Sequence, residues 1–151
     1  VNPDPLAKYR RGVQSEKPRT VKTRWRLALC TRPRVLIADD NIDISKAVGR
    51  LLGLDCEIVG SVSDGSAVLE ATQRLRPDVI VLDLNLQTTH GLAVCRQITQ
   101  IHPETKIIMF TGMNDPEVRQ HSFEAGASAF VSKLASDDLL PAIKRLCIDH
   151  G

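Results

Sequence analysis

Acidic, hydroxyl and basic side chains end or follow four short strand-like runs of this chain. The polar residues in question are Asp39 and Asp40, Asp83, Thr111 and Lys133. The runs that precede them span residues 35–38, 79–82, 107–110 and 129–132. Such short, mostly apolar runs are typical of strands buried on both faces of a parallel sheet. Because all strands of that sheet point the same way, these side chains are expected at the edge where open α/β sheets bind ligands.

This combination of side chains suits a divalent metal ion and a phosphoryl group. Crowded carboxylates resist ionisation unless a cation compensates their charge. Mg²⁺ takes oxygen ligands and commonly uses only one or two protein carboxylates. A carboxylate beside Mg²⁺ and the ammonium of Lys133 can act as a nucleophile toward phosphorus, since aspartyl phosphates are known covalent intermediates. The two cations would neutralise charge on the phosphoryl oxygens, and Thr111 can bond one of those oxygens.

From Arg34 onward, the sequence alternates between strand-like and helix-like segments. The predicted strands are 34–39, about 56–62, 78–83, 106–111 and 128–132. The predicted helices are about 43–53, about 64–75, about 91–101, 116–126 and about 137–148, with Asp64 and Asp115 as N-caps and Gly53 as a left-handed C-terminal residue. Five β-α units with crossover helices predict an α/β fold, a doubly wound five-stranded parallel sheet of order 2-1-3-4-5.

The composition excludes several classes of protein. Hydrophobic residues make up 42% of the 151 residues, which argues against general disorder, and the 3% aromatic content implies an aliphatic core. No run of 18 apolar residues and no signal peptide are evident, so we expect a cytoplasmic protein without a membrane partner. The cysteines lack the spacing of a zinc site, and Cys56 and Cys95 fit apolar core positions. The four histidines are interpreted as surface residues: His90, His102, His121 and His150.

Charge divides the chain into two regions. Residues 1–34 hold ten Lys and Arg against two acidic residues, a net charge of +8, whereas residues 35–151 have a net charge of −6. We therefore predict a basic, disordered N-terminal arm at 1–33 and a folded domain at 34–151. The arm is interpreted first as a solvated tail, although its positive charge also leaves contact with nucleic acid open.

The residues that suggest phosphoryl chemistry also resemble the receiver domain of two-component response regulators, over residues 34 to about 148. The matching residues are Asp39-Asp40, Asp83-Leu84-Asn85-Leu86 with Gly91, Thr111-Gly112, Phe130 and Lys133. The resemblance implies a flavodoxin-like receiver fold. It also implies a phosphorylation-dependent signalling switch that is no enzyme in the usual sense, because it catalyses only its own phosphorylation and dephosphorylation.

The resemblance assigns a role to each acidic residue. Asp83 is expected to accept a phosphoryl group from a phosphohistidine on a sensor histidine kinase or a phosphotransfer protein. Asp40, Asp83 and the backbone carbonyl of Asn85 are expected to ligate Mg²⁺ directly. Asp39 is expected to act mostly through bound water.

The resemblance also assigns the switch. Lys133 is expected to pair with the phosphoryl group, and Thr111 to move and bond it. Phe130 would then rotate inward and change the surface formed by helix 4, strand 5 and helix 5. A homodimer through that surface remains open.

Two alternative functions remain open, and so does the way in which the regulator acts on its target. Gln87 stands where the family commonly has proline, so a degenerate receiver that only binds proteins is one alternative. A Mg²⁺-dependent aspartyl phosphatase is another, but such enzymes carry Asp-x-Asp after the first strand, whereas Asp39 and Asp40 are adjacent. No helix-turn-helix pattern follows the fifth helix. We therefore expect either a single-domain regulator or a truncated transcriptional regulator that contacts nucleic acid through a missing output domain.

Overall fold

A parallel sheet of five strands, flanked by helices on both faces, forms the domain. The computed structural model describes residues 32–148, so the arm predicted at 1–33 lies outside the described residues apart from Arg32 and Pro33. The elements are β1 (Arg34–Ala38), α1 (Ile42–Leu52), β2 (Glu57–Val62), α2 (Gly65–Leu75), β3 (Val79–Leu82), α3 (Gly91–Ile101), β4 (Lys106–Thr111), α4 (Pro116–Glu124), β5 (Ala129–Ser132), a 3₁₀ helix (Lys133–Asp138) and α5 (Leu139–Ile148).

The strand order is β2-β1-β3-β4-β5, and every neighbouring pair is parallel, which confirms the predicted fold. In this order β1 and β3 are neighbours although a strand and two helices separate them in the chain. Val35 pairs with Val79, and Ala38 pairs with Leu82, so the two strands end level with each other. The residues that follow β1 and β3 therefore emerge side by side at one edge of the sheet.

Alternate residues of the central strands enter two separate hydrophobic clusters, as the period of two along a strand requires. One cluster joins the sheet to α2 and α3 through Ile80, Leu82, Met109, Val68, Val94 and Ile98. The other joins it to α1 and α5 through Val79, Val81, Ile108, Val48, Leu52 and Ile143. Cys95 and Cys56 lie in the first and second clusters respectively, which confirms their predicted core positions. Burial of each such aliphatic side chain stabilises the fold by roughly 1.5–3 kcal/mol. The strands that end at this edge of the sheet are therefore held in place by the core.

Side-chain caps start three of the helices close to that edge. The carboxylates of Asp64 and Asp115 accept hydrogen bonds from the backbone N–H groups of residues 66 and 117, and Pro116 opens α4, so these predicted caps are confirmed. Asn41 caps α1 by accepting from the N–H groups of residues 43 and 44. Each cap satisfies helical donors that would otherwise lack a partner.

Two predictions about helix ends differ from the structure. Gly53 is right-handed (φ −63°), so its predicted left-handed conformation is wrong. The N–H groups of Asp55 and Cys56 both donate to the carbonyl of Leu52, which closes the turn without a left-handed residue. A left-handed residue ends α2 instead: Arg76, φ 48°, whose following proline disfavours the right-handed helical region.

The predictions about histidines and membrane spans also have structural outcomes. His102 is buried, so its assignment to the surface is wrong; it is the C-cap of α3, and its backbone N–H donates to the carbonyl of Ile98 at 2.7 Å. His90 and His121 are exposed, whereas His150 lies outside the described residues. Within residues 32–148, every helix is too short or too polar to cross a membrane.

Candidate functional site

Three carboxylates meet where β1 and β3 end. Asp39, Asp40 and Asp83 each present a carboxylate oxygen, and these three oxygens lie within 4.8 Å of one another. Asp39 and Asp83 are only 4% and 5% exposed, whereas Asp40 is open to solvent. The Asp83 N–H donates to the carbonyl of Ala38 at 2.9 Å, and the Asn41 N–H donates to Asp39 Oδ1 at 2.9 Å. These backbone hydrogen bonds hold the residue after β3 against the end of β1 and orient the Asp39 carboxylate.

Lys133 places a positive charge between the two buried carboxylates. Its Nζ lies 2.7 Å from Asp39 Oδ2 and 3.1 Å from Asp83 Oδ2. Lys133 opens the 3₁₀ helix after β5, which is two strands away from β3, so its long side chain reaches across the end of β4. The cluster contains three carboxylates and one ammonium, so its net charge is negative when all three carboxylates are ionised.

The electrostatics follow from this crowding. Burial raises the pKa of Asp83, the neighbouring Asp39 carboxylate raises it further, and the hydrogen bond from Lys133 offsets only part of the rise. For Lys133, burial lowers the pKa, but the hydrogen bonds to Asp39 and Asp83 outweigh it and leave that pKa raised. The lysine therefore stays protonated near neutral pH, and the remaining negative charge of the cluster favours a further cation.

The predicted switch residues lie on β4 and β5 beside the acidic cluster. Thr111 is the last residue of β4, is 1% exposed, and its Oγ1 accepts a hydrogen bond from the Met113 N–H at 3.3 Å. It pairs in register with Ser132, the residue before Lys133. Phe130 is buried in the cluster with α2 and α3, and the guanidinium carbon of Arg119 lies 5.5 Å from its ring centre. The ring is therefore buried and contacts Arg119 of α4.

The loop after Asp83 closes on itself. Asn85 and His90 form an isolated antiparallel bridge, and the Gly91 N–H donates to the carbonyl of Leu84 at 2.6 Å. A Cβ on Gly91 would lie 2.3 Å from the carbonyl oxygen of Asp83, so only glycine fits here without moving the backbone. The Nδ1 atom of His90 accepts from the Leu92 N–H and so caps α3.

Sequence reasoning did not find three of these supporting residues. Asn41 and His90 act as N-caps beside the site, and Thr88 donates a hydrogen bond to Asp64 from the loop. The N-cap preference of asparagine just before an apolar helix was a usable signal for Asn41. Histidine is not a common cap, and the contact of Thr88 joins positions 24 residues apart, so local sequence patterns gave no signal for either.

The donor set fits a hard divalent cation. Three carboxylates within reach of one another, one of them open to solvent, match the oxygen ligation that Mg²⁺ prefers. Asn85 is exposed at the start of the loop, two residues after Asp83, with its backbone held by the bridge to His90. Asp40 is the exposed carboxylate of the three, whereas Asp39 and Asp83 are buried and both contact Lys133.

Comparison with curated proteins gives relatives among bacterial regulators. The transcriptional regulatory protein CutR of Streptomyces coelicolor is 33% identical over 114 residues, which are 75% of this chain and 52% of CutR. The oxygen regulatory protein NreC of Staphylococcus epidermidis is 31% identical over 110 residues, 71% of this chain and 50% of NreC. The chain thus spans about half the length of the curated relatives it matches.

Solved structures and a family model point the same way. A two-component response regulator of the LuxR family from an Aurantimonas species superposes with a TM-score of 0.75 at 26% identity, covering 78% of this chain and 86% of that chain. The BeF3-activated DrrB receiver domain gives a TM-score of 0.69 at 30% identity, with 76% and 97% covered. Residues 35–144 match the model of the response regulator receiver domain. The chain therefore belongs to the family of receiver domains of two-component response regulators.

Proposed function

We propose that this receiver is a phosphorylation-dependent switch whose phosphoacceptor is Asp83. The donor is a phosphohistidine on a sensor histidine kinase or a phosphotransfer protein. The observation that carries the proposal is the position of Lys133 Nζ, 2.7 Å from Asp39 and 3.1 Å from Asp83, beside an acidic group that can hold a cation. A carboxylate, an ammonium and a cation site in contact are the parts that phosphoryl transfer to an aspartate requires.

The chemistry assigns a task to each side chain. A carboxylate oxygen of Asp83 attacks phosphorus, the bond to the donor's imidazole nitrogen breaks, and that nitrogen leaves with its electron pair. Lys133 lies at hydrogen-bond distance from Asp83 Oδ2 and stabilises charge on the transferring oxygens. Asp40, Asp83 and the backbone carbonyl of Asn85 would hold Mg²⁺, with Asp39 acting through water. When bound, Mg²⁺ supplies charge neutralisation for the phosphoryl oxygens.

Phosphorylation would change the surface that the receiver presents to its partners. Thr111 would exchange the hydrogen bond from the Met113 N–H for one with the phosphoryl group. Phe130 and Arg119 are in contact, so movement near Thr111 would reach α4 through them and alter the face formed by α4, β5 and α5. The phosphoryl group adds about −1.5 to −2 charges, and this charge shifts the population of two conformations. We also propose that two copies of the receiver can associate through the face formed by α4, β5 and α5.

The two alternatives have less support from the site. A phosphatase of this kind would carry Asp-x-Asp after the first strand, whereas Asp39 and Asp40 are adjacent after β1. A degenerate, binding-only receiver would not need Lys133 to bridge two buried carboxylates. We therefore propose a regulator that catalyses only its own phosphorylation and dephosphorylation.

The relatives support a proposal about the domains that accompany this receiver. CutR is named a transcriptional regulatory protein and is about twice the matched length. We propose that this receiver acts on nucleic acid through an output domain outside this sequence. Residues 1–33 are proposed as a separate basic arm and 34–151 as the receiver, with a cytoplasmic location that a histidine kinase partner requires.

Phosphorylation of Asp83 can be tested by intact mass. After incubation with Mg²⁺ and acetyl phosphate, the wild type is expected to gain one phosphoryl group, and Asp83→Asn is expected to gain none. A chelator should abolish the gain, because the carboxylates alone leave the charge of the phosphoryl group uncompensated. Equal labelling of wild type and Asp83→Asn would contradict the proposal.

Mg²⁺ binding can be tested independently of phosphorylation. The wild type is expected to gain about 2.7 kcal/mol of stability at an Mg²⁺ concentration 100 times the dissociation constant. Asp40→Asn should lower the affinity about tenfold or more, since it removes a proposed direct ligand. The matched control is Asp43→Asn, an equally exposed aspartate in the first turn of α1. Equal effects of the two variants on Mg²⁺-dependent thermal unfolding would exclude Asp40 as a ligand.

A further inference from the structure

We propose that Asp64, at the start of α2, is a positioning residue for the loop that carries Asn85. It would hold that loop through the hydroxyl of Thr88. The proposal rests on the proposed function, because Asn85 is the residue whose backbone carbonyl would ligate Mg²⁺. It adds a residue outside the acidic cluster to the set that determines cation affinity.

The two ends of the loop are fixed by backbone contacts. The bridge between Asn85 and His90 joins the ends, and the Gly91 N–H donates to the carbonyl of Leu84. Between them lie four residues, of which Gln87 and Thr88 are exposed. The sequence of residues 85–90 contains no proline, so the backbone dihedrals between the fixed ends are not restricted by a ring. Contacts with the rest of the domain must therefore order the middle of the loop.

The first turn of α2 provides these contacts. The Thr88 hydroxyl donates to Asp64 Oδ1, and the Ser66 N–H donates to the same oxygen. Thr89 lies so close to Gly65 that a Cβ there would come within 2.6 Å of Thr89 Cβ. The loop thus packs directly on the helix start, where a side chain at position 65 would displace it.

The charge of Asp64 strengthens the contact. Hydrogen bonds to a carboxylate are roughly twice as strong as those between neutral groups. The bond from Thr88, followed by the bond from the Ser66 N–H, lowers the pKa of Asp64, so the carboxylate is ionised near neutral pH. Residues that orient a metal ligand typically change metal affinity about 10–100-fold when they are lost. Here the ligand is a backbone carbonyl three residues from Thr88, so the expected change in affinity is at or below the lower end of that range.

The test uses Thr88→Val, which removes the hydroxyl at nearly constant shape and leaves the cap of α2 intact. Thr88→Ser keeps the hydroxyl and is the matched control. Amide hydrogen exchange of residues 85–90 is expected to be several-fold faster in Thr88→Val than in wild type. Calorimetric titration with Mg²⁺ is expected to show a dissociation constant about 3–10 times larger. Thr88→Ser should remain close to wild type in both measurements.

A double-mutant cycle separates this contact from the cap. Asp64→Ala removes the cap and the loop contact together, so adding Thr88→Val to it should have little further effect on exchange in residues 85–90. Additive effects, or Thr88→Val and Thr88→Ser with the same exchange rates and Mg²⁺ affinity, would overturn the proposal. Failure of the wild type to bind Mg²⁺ would contradict the proposed function, whereas the exchange rates would still report whether Asp64 holds the loop.

Discussion

Lys133→Met is expected to destabilise the domain by about 3–5 kcal/mol in the absence of divalent cations, the typical cost of removing one partner of a buried ion pair. The substitution leaves Asp39 and Asp83 buried, close together and without their shared ammonium. Since burial and Asp39 already raise the pKa of Asp83, the loss should become smaller as the pH falls through that pKa and the carboxyl group takes up a proton.

Urea unfolding with a chelator and then with Mg²⁺ measures this effect. Mg²⁺ should restore part of the lost stability, because it compensates the same carboxylates. Lys144→Met is the matched control: its ion pair with Asp55 is 3.4 Å long and largely exposed, and such pairs contribute about 0–1 kcal/mol. A loss for Lys133→Met no larger than that of Lys144→Met would contradict the ion-pair description of the site.

Gly91→Ala is expected to cost about 3 kcal/mol, near the upper end for overpacking. The new Cβ would lie 2.3 Å from the carbonyl oxygen of Asp83 and 2.7 Å from the Cα of Leu84. Both are backbone atoms, so no side-chain rotation relieves the clash, and the segment that carries the phosphoacceptor must shift. Labelling by acetyl phosphate should therefore fall together with stability.

Gly49→Ala provides a control of opposite sign. Gly49 lies inside α1, and a Cβ there would meet nothing within 4 Å. Alanine in a helix interior is expected to stabilise by about 0.5–1 kcal/mol relative to glycine. Thermal unfolding of the two variants tests both statements. A Gly91→Ala variant as stable and as readily phosphorylated as the wild type would show that the backbone near Asp83 tolerates displacement.

The sheet and the acidic cluster were predictable because their signals are local. Apolar runs ending in Asp39, Asp83 and Thr111 indicate strands, and the helical crossovers between them predict parallel strands whose ends meet at one edge of the sheet. The start of α5 was less predictable. Ser132 accepts a hydrogen bond from the Leu134 N–H and opens a 3₁₀ helix, so α5 begins at Leu139 and Pro141 falls in its first turn.

Contacts between distant segments account for most of what sequence reasoning missed. Asp64 was predicted as a cap, and it is one, but its second role depends on the packing of Thr88 against α2. Likewise, the sequence indicated that Lys133 lies near the carboxylates, whereas its contact with both Asp39 and Asp83 depends on the order of β3, β4 and β5. Such pairings arise only when the sheet is assembled.

Borohydride trapping can locate the phosphoryl group that Asp83 is proposed to carry. Reduction of an aspartyl phosphate releases phosphate and converts that residue to homoserine, which peptide mass spectrometry can locate. After treatment with Mg²⁺ and acetyl phosphate, we expect homoserine at position 83 and unchanged aspartates at positions 39 and 40. Homoserine at position 39 or 40, or a stable phosphoryl group at a position other than 83, would contradict this proposal.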